Sequence, residues 1–268
     1  MRKIDIIIPV YKPDQKFLAL VDKLEHQTVA VNKIIIMNTE REYFDRLVKG
    51  TSFFEKYRNV CVTNLKKEDF DHGLTRRQGV EQSDAQVFVM MTMDAMPVDE
   101  DLVEKLTAPL EKEDVAVSYG RQMAGKNSGE IERYTRKFNY PGKGCEKSAK
   151  DVEKLGIKAF FCSNVCAAYR RDIYDRLGGF VSRTIFNEDM IYAAGAIKAG
   201  YKIVYAADAK VVHCHNYTYR QQFRRNFDLG VSQADHPEVF AAVSSEGEGA
   251  ALIRKTTVHL WKSGKKRL

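Results

Sequence analysis

The chain opens on Ile4-Asp5-Ile6-Ile7-Ile8-Pro9-Val10, a run of β-branched residues with a single polar interruption. A segment this apolar at both odd and even positions fits a strand covered on both faces, as in a parallel sheet lying between helices. Pro13 and Asp14 then mark a helix entry, and Phe17, Leu18, Val21 and Leu24 recur at helical spacing as far as about Gln27. Lys33-Ile34-Ile35-Ile36-Met37 predicts a second buried strand. The alternation goes on with a helix over 42–56, a strand over 60–65, a helix over 73–83 and a strand over 86–92. Over 120–150, Gly, Lys, Asn and Ser interrupt the pattern and predict a mobile loop. Beyond it the pattern predicts a strand at 159–161, a helix at 171–177, a turn at Gly178-Gly179, a helix at 188–199 and short strands at 201–205 and 211–215. Everything after Tyr217 reads as helical. The order predicts an α/β fold with a twisted, mostly parallel central sheet flanked by helices, right-handed crossovers and a helical C-terminal extension. Ligands of such sheets bind at the carboxyl ends of the strands.

Charge changes this picture only at one end. The 268 residues carry 43 Lys+Arg against 36 Asp+Glu, a net +7. From Arg254 onward, Arg254, Lys255, Lys262, Lys265, Lys266 and Arg267 occur with no acidic residue, so the body is nearly neutral. A basic tail on a neutral body suits an anionic lipid surface or a solvated end better than nucleic acid, which calls for a basic folded face. A mean hydropathy of −0.40 argues against an integral membrane protein, and no apolar run approaches the roughly 20 residues of a spanning helix. The N-terminus lacks a signal-peptide core, so a cytoplasmic protein is expected. Five cysteines without a paired CxxC signature read as reduced and packed.

Candidate chemistry clusters at the predicted strand ends. The first strand releases the chain at Pro9-Val10-Tyr11 and the second at Met37-Asn38-Thr39-Glu40, a crevice suited to a base and ribose, although ordinary strand-end turns look the same. No GxGxxG follows the first strand, so the dinucleotide fingerprint is missing. Phe70-Asp71-His72-Gly73-Leu74-Thr75-Arg76-Arg77 opens a helix with a hydroxyl and guanidinium groups that could meet phosphate, or be solvated. Val87-Phe88-Val89-Met90-Met91-Thr92-Met93-Asp94 delivers one carboxylate at the end of an apolar strand. Asp94 fits a divalent cation bridging to a diphosphate, and equally a turn carboxylate. Glu188-Asp189 opens a helix, where either the helix dipole or general-base work accounts for an acidic pair. His213-Cys214-His215 is expected on a strand with both imidazoles on one side, as a metal pair or as structural residues.

Taken together, these segments resemble the inverting family 2 glycosyltransferases of GT-A fold, in the rhamnosyltransferase-like branch. The resemblance runs from about Ile4 to Gly230 and includes Cys162-Ser163-Asn164, Leu177-Gly178-Gly179-Phe180, Ala199-Gly200-Tyr201-Lys202-Ile203 and His213-x-His215-Asn216-Tyr217. It implies a GT-A catalytic domain over 1–217 and a C-terminal helical extension with a basic tail over 218–268. It implies a nucleotide-sugar pocket containing Pro9, Tyr11, Asn38 and Glu40. Thr92 and Asp94 stand for a reduced DxD motif, with Asp94 on the metal. Asp189 is the implied base with Glu188 beside it, and His215, ahead of His213, is the implied further ligand of Mg²⁺ or Mn²⁺. Thr75 and Arg76 would steady the diphosphate, and Arg225 or Arg224 would close over it. The implied partners are a nucleotide-sugar donor, rhamnose from dTDP-rhamnose being expected, and a glycan or lipid-linked acceptor in cell-surface polysaccharide synthesis. Nucleic acid is not expected, and the tail is expected to reach an anionic membrane surface, placing the enzyme peripherally at the inner membrane. The competing reading is a non-catalytic nucleotide-sugar or carbohydrate binder on the same fold.

Overall fold

The computed structural model describes residues 2–214, 217–241, 243 and 246–263. The first half follows the predicted alternation: β1 (Ile4–Tyr11), α1 (Gln15–Glu25), β2 (Lys33–Thr39), α2 (Arg41–Val48), α3 (Phe53–Lys56), β3 (Val60–Leu65), α4 (His72–Glu81) and β4 (Val87–Met91). Asp14 caps α1, its carboxylate accepting the Lys16 N–H at 2.9 Å. The helix expected over 42–56 is instead two, because Gly50 takes φ +73° between α2 and α3. Then come β5 (Met96–Pro97), α5 (Leu102–Thr107), β6 (Val115–Met123), α6 (Glu130–Asn139), β7 (Cys145–Lys147), α7 (Val152–Leu155), β8 (Cys166–Arg170), α8 (Arg171–Arg176), α9 (Glu188–Lys198) and β9 (Lys202–Val212). The chain ends in α10 (Tyr219–Ala234), α11 (Pro237–Phe240) and α12 (Glu246–Lys262).

The strands form one sheet in the order β3-β2-β1-β4-β8-β6-β9-β5, with β7 also paired to β9. Pairing is parallel across β3-β2-β1-β4, where each β1 residue from Asp5 to Tyr11 faces its β2 partner from Lys33 to Thr39. Past β4 the sheet is mixed: β8 runs antiparallel to both β4 and β6, whereas β9 is parallel to β6. The β-branched runs do what their composition requires. Ile6 and Ile8 point into one core with Phe17 and Leu20 of α1, and Ile7 points into the other with Phe88 and Tyr169. Asp5 is fully buried among them and satisfied, accepting from Asn32 and Ser83 at 2.7 Å each.

Three expectations are corrected here. The region 120–150 carries the end of β6, all of α6 and β7. Residues 156–160 form a 3₁₀ turn, and the strand comes later, at β8. The two short strands at 201–205 and 211–215 are one continuous β9 that ends at Val212.

α4 packs tightly against both the sheet and the loop before α9. A Cβ on Gly79 would lie 2.5 Å from Ile7, and one on Gly73 would lie 1.7 Å from the Val181 carbonyl oxygen. Asp71 joins the same elements, one oxygen accepting the Leu74 N–H at 2.6 Å and the other the Thr184 N–H at 3.0 Å. The C-terminal helices touch the body through α10, α11 and α12, with Val239 and Phe240 of α11 packing into its core. Ser232 of α10 donates to the Phe186 carbonyl at 2.6 Å and accepts from Asn187 at 3.0 Å. His259 of α12 stacks on Tyr134 of α6, ring centroids 4.4 Å apart, and its Nε2 lies 2.9 Å from Glu130.

Candidate active site

The carboxyl ends of β1, β2 and β4 lie side by side, and each brings a predicted residue. Tyr11 pairs with Thr39 in the β1-β2 register, and its N–H approaches the Met93 sulfur at 3.5 Å, one residue from Asp94. Tyr11 is exposed and meets Tyr43 edge to face at 5.8 Å. Pro9 is half-buried on β1 opposite Met37. Asn38 is fully buried, donating to Asn64 at 2.7 Å. Among the described residues, Asn38 Oδ1, Thr39 Oγ1 and Thr92 Oγ1 are buried polar atoms with no hydrogen-bond partner. Three such atoms at neighbouring strand ends leave hydrogen-bonding capacity for a ligand. Glu40 stands apart, because its carboxylate accepts the Lys67 N–H at 2.6 Å and so serves the loop after β3.

The Asp94 side chain is 42% exposed, and Oδ2 lies 3.4 Å from Nε2 of the buried His213. His213 Nδ1 meets Gln122 Oε1 at 2.8 Å. Gln122 also accepts from Arg136 through Oε1, and donates through Nε2 to Tyr140 OH at 2.5 Å and to Ser163 Oγ at 2.9 Å. With Oε1 accepting, Nδ1 is the nitrogen that donates, and in the neutral ring Nε2 turns its lone pair toward Asp94. A carboxylate oxygen and an imidazole lone pair converging on one point are the donor set of a divalent cation, so these residues fit one. His215 lies outside the described residues. The structure places His213, the second choice from sequence, against Asp94, because β9 ends at Val212 and releases His213 at the sheet edge.

The acidic pair divides sharply. Glu188 is 4% exposed, 3.2 Å from Arg76 Nε, and accepts from the Asn164 amide at 2.9 Å. Burial works to raise its pKa, but the Arg76 charge and the Asn164 amide hold it below the ordinary range. Asp189 is half-buried; Oδ2 accepts the Asn164 N–H at 2.9 Å and Oδ1 the Met190 N–H at 2.8 Å. Burial, with the Glu188 charge next to it, raises Asp189 to about 7. A carboxylate tuned to neutrality at a helix start can take a proton from a hydroxyl.

Thr75 and Arg76 are turned into the protein interior. Thr75 is fully buried and its hydroxyl accepts the Asp71 N–H at 3.3 Å, while Arg76 is buried against Glu188 and donates to the His72 carbonyl at 2.8 Å. Arg225 is half-buried with its guanidinium 5.0 Å from the Phe186 ring centre, beside the loop that carries Glu188-Asp189, whereas Arg224 is exposed. His72, not assigned from sequence, has its ring 5.0 Å from Phe186, and burial followed by the Arg76 charge lowers it to about 4. Gln122 stands in no sequence motif, whereas Thr39 lies in the Met37-Asn38-Thr39-Glu40 strand end and Ser163-Asn164 in Cys162-Ser163-Asn164.

The geometry thus sets the Asp94–His213 pair beside the carboxyl ends of the strands and a carboxyl raised to about 7 at the start of α9, and comparison with known proteins identifies the scaffold. The profile described as "Glycosyl transferase family 2" matches residues 5–178. The chain belongs to glycosyl transferase family 2. It is 38% identical over 249 residues to the O-antigen chain rhamnosyltransferase RfbN of Salmonella typhimurium, covering 91% of this chain and 78% of that one. It is 34% identical over 252 residues to the O-antigen chain rhamnosyltransferase WbaN of Salmonella anatum, covering 92% and 78%. Among solved structures, the mannosyltransferase PcManGT from Pyrobaculum calidifontis, in complex with GDP-Man and Mn²⁺, superposes with TM-score 0.62 at 14% identity over 88% of this chain and 64% of that one. S. aureus TarS 1-349 in complex with UDP-GlcNAc gives TM-score 0.63 at 12% identity over 97% and 73%. These structures share the GT-A fold with this glycosyltransferase. Its catalytic-base candidate, Asp189, lies beyond the profile-matched segment.

Proposed function

We propose that this glycosyltransferase moves rhamnose from dTDP-rhamnose to a hydroxyl of a glycan or lipid-linked acceptor in cell-surface polysaccharide assembly, inverting the anomeric centre. The observation that carries the reading is the division of the acidic pair: Arg76 locks Glu188 away, and Asp189 is left half-buried with a pKa of about 7. The names of the two Salmonella relatives support the sugar. Asp94 and His213 would hold a divalent cation, which when bound offsets charge developing on the departing diphosphate. The nitrogen ligand favours Mn²⁺ over Mg²⁺, which prefers an all-oxygen shell. Tyr11, Thr39, Asn38 and Thr92 line the nucleotide side, and Arg225 flanks the base loop. Asp189 accepts the proton of the acceptor hydroxyl, and attack opposite the leaving group needs no second carboxylate as nucleophile.

In the same proposal the enzyme works at an anionic membrane surface. α12 docks one side on α6 and exposes Ile253, Val258 and Trp261 beside Arg254 and Lys262. α10 exposes Tyr219, Phe223 and Phe227 at four-residue spacing, next to Arg220 and Arg224. Aromatic and basic residues on an exposed helix face match an interfacial helix. Among the described residues no helix is long and apolar enough to cross a membrane.

Purified enzyme incubated with a panel of nucleotide sugars and a glycan acceptor, with EDTA, Mg²⁺ or Mn²⁺, tests the proposal. Transfer from dTDP-rhamnose that requires a cation, with NMR showing the inverted anomer, is expected. Retained configuration, or equal turnover in EDTA, would refute it.

A further inference from the structure

We infer that Ser163-Asn164, fastened to Gln122, is a spacer that sets the base against the cation pair, with Gln122, Ser163 and Asn164 as positioning residues. The inference rests on the reading above, in which Asp94 and His213 hold the cation and Asp189 is the base.

Topology creates the arrangement. β8 is antiparallel to β4 and β6, so the residues leading into it stand at the edge where β4, β6 and β9 release the chain. The Thr92 N–H donating to the Val165 carbonyl at 3.2 Å fixes that adjacency. Across this edge runs one unbroken polar path. Asp94 meets His213 at 3.4 Å, His213 meets Gln122 at 2.8 Å, and Gln122 donates to Ser163 at 2.9 Å. The next residue, Asn164, donates its backbone N–H to Asp189 and its side-chain amide to Glu188, both at 2.9 Å. Its remaining carbonyl accepts from Tyr169 OH at 2.7 Å. Gln122 and Asn164 are 3% and 2% exposed, so neither reorients without stranding buried partners.

This matters because the acceptor oxygen must lie between Asp189 and the anomeric carbon, while the cation fixes where the diphosphate holds that carbon. An error of about 1 Å in such a separation costs roughly a hundredfold in rate. Ser163 touches neither the cation pair nor the base, so it isolates the spacer's contribution.

The experiment compares Ser163→Ala, Ser163→Thr and Asn164→Asp with Asp94→Asn and Asp189→Asn. The readouts are thermal melting, Mn²⁺ binding in the presence of dTDP, and kcat against pH at saturating donor and Mn²⁺. Ser163→Ala is expected to melt like wild type and bind Mn²⁺ within about twofold, yet lose at least about tenfold in kcat, which Ser163→Thr restores by keeping the hydroxyl. Asn164→Asp turns an acceptor toward Glu188 and adds charge beside Asp189, so the acid limb of its kcat profile is expected at higher pH. That limb belongs to Asp189. Of the groups around it, Arg76 pairs with Glu188 at 3.2 Å, Glu188 is held low, burial pushes Cys162 up to about 12, and burial also raises Tyr140 and Tyr169. Wild-type kcat in Ser163→Ala, or activity loss in Asn164→Asp that tracks lowered melting with no shift of the limb, overturns the inference. Wild-type activity in Asp94→Asn or Asp189→Asn instead overturns the reading beneath it.

Discussion

Replacing Asp189 by Asn should make the protein more stable as it makes the enzyme worse, and the size of the gain should depend on pH. The carboxyl rises from an ordinary 3.8 to about 7 on folding, chiefly through burial and then through the Glu188 charge. A carboxyl raised in the folded state stabilises most when protonated; that contribution is complete below about 3.8 and is lost as pH climbs through about 7. At full value the rise corresponds to roughly 4 kcal/mol, and access of water to a half-buried group brings it to about 2. Asn cannot accept both N–H groups that Asp189 accepts from Asn164 and Met190, which offsets about 1 kcal/mol at every pH. The net at pH 8 is about 1 kcal/mol in favour of the Asp189→Asn protein, or roughly 2–4 °C in a chain of this size. At pH 5 the advantage should vanish or reverse. Differential scanning fluorimetry of both proteins across pH 5–8 reads this directly. A melting difference that stays constant with pH, or an Asp189→Asn protein less stable than wild type at pH 8, would refute the argument that burial and Glu188 destabilise the charged base. Turnover of the same variant should fall by roughly 10²–10⁴-fold.

Glu188→Gln should lower the pH at which activity rises, because it removes the charge that helps hold Asp189 up, and should cost about 3–5 kcal/mol by stranding Arg76; a pH–rate profile and a urea melt check both. Asp94→Asn should weaken Mn²⁺ binding by at least about tenfold, read by paramagnetic relaxation of water, while leaving melting of the metal-free protein within about 1 kcal/mol. Gly73→Ala should unfold or destabilise the protein by more than about 3 kcal/mol, since its Cβ would stand 1.7 Å from the Val181 oxygen; an unchanged melting curve would mean that the loop before α9 yields freely. Binding to anionic liposomes should fall with salt and with Phe223→Ser or Trp261→Ser, and equal sedimentation of all three proteins would detach α10 and α12 from the membrane reading.

Much of the parallel half was legible because its strands announce themselves. Ile6-Ile7-Ile8, Ile34-Ile35-Ile36 and Val87-Phe88-Val89 have to be buried on both faces, and few arrangements allow that. β6 and β8 carry weaker signals: Ser118, Gly120 and Gln122 break the first, and Ala167-Ala168 have little strand preference of their own. α6 was hidden by its charge, since Glu130, Glu132, Arg133, Arg136 and Lys137 look like a solvated loop until α12 is seen lying on it. At the candidate site, Asp94 and Asp189 are legible as candidates because a strand end and a helix start are local features. The burial of Arg76 is not legible, because its partner Glu188 is more than a hundred positions away and the glycine at 73 that lets the two segments meet gives no hint of which segment it admits. Gln122 gives no local signal, as its partners His213, Ser163, Arg136 and Tyr140 are all distant in sequence.

Asp94 stands at its strand end with Thr92 where a second acid would strengthen the hold on a cation. Among the described residues the proposed donors are one carboxylate and one imidazole, so a divalent ion held there would keep positive charge for the incoming diphosphate to offset. Under the proposed function, cation and nucleotide would be thermodynamic partners: the factor by which dTDP tightened Mn²⁺ would equal the factor by which Mn²⁺ tightened dTDP. A site with two or three acids would keep its metal between turnovers. On the proposed reading, a site this lightly charged would release the ion together with the spent nucleotide, and the free cation concentration would set the apparent affinity for the sugar donor.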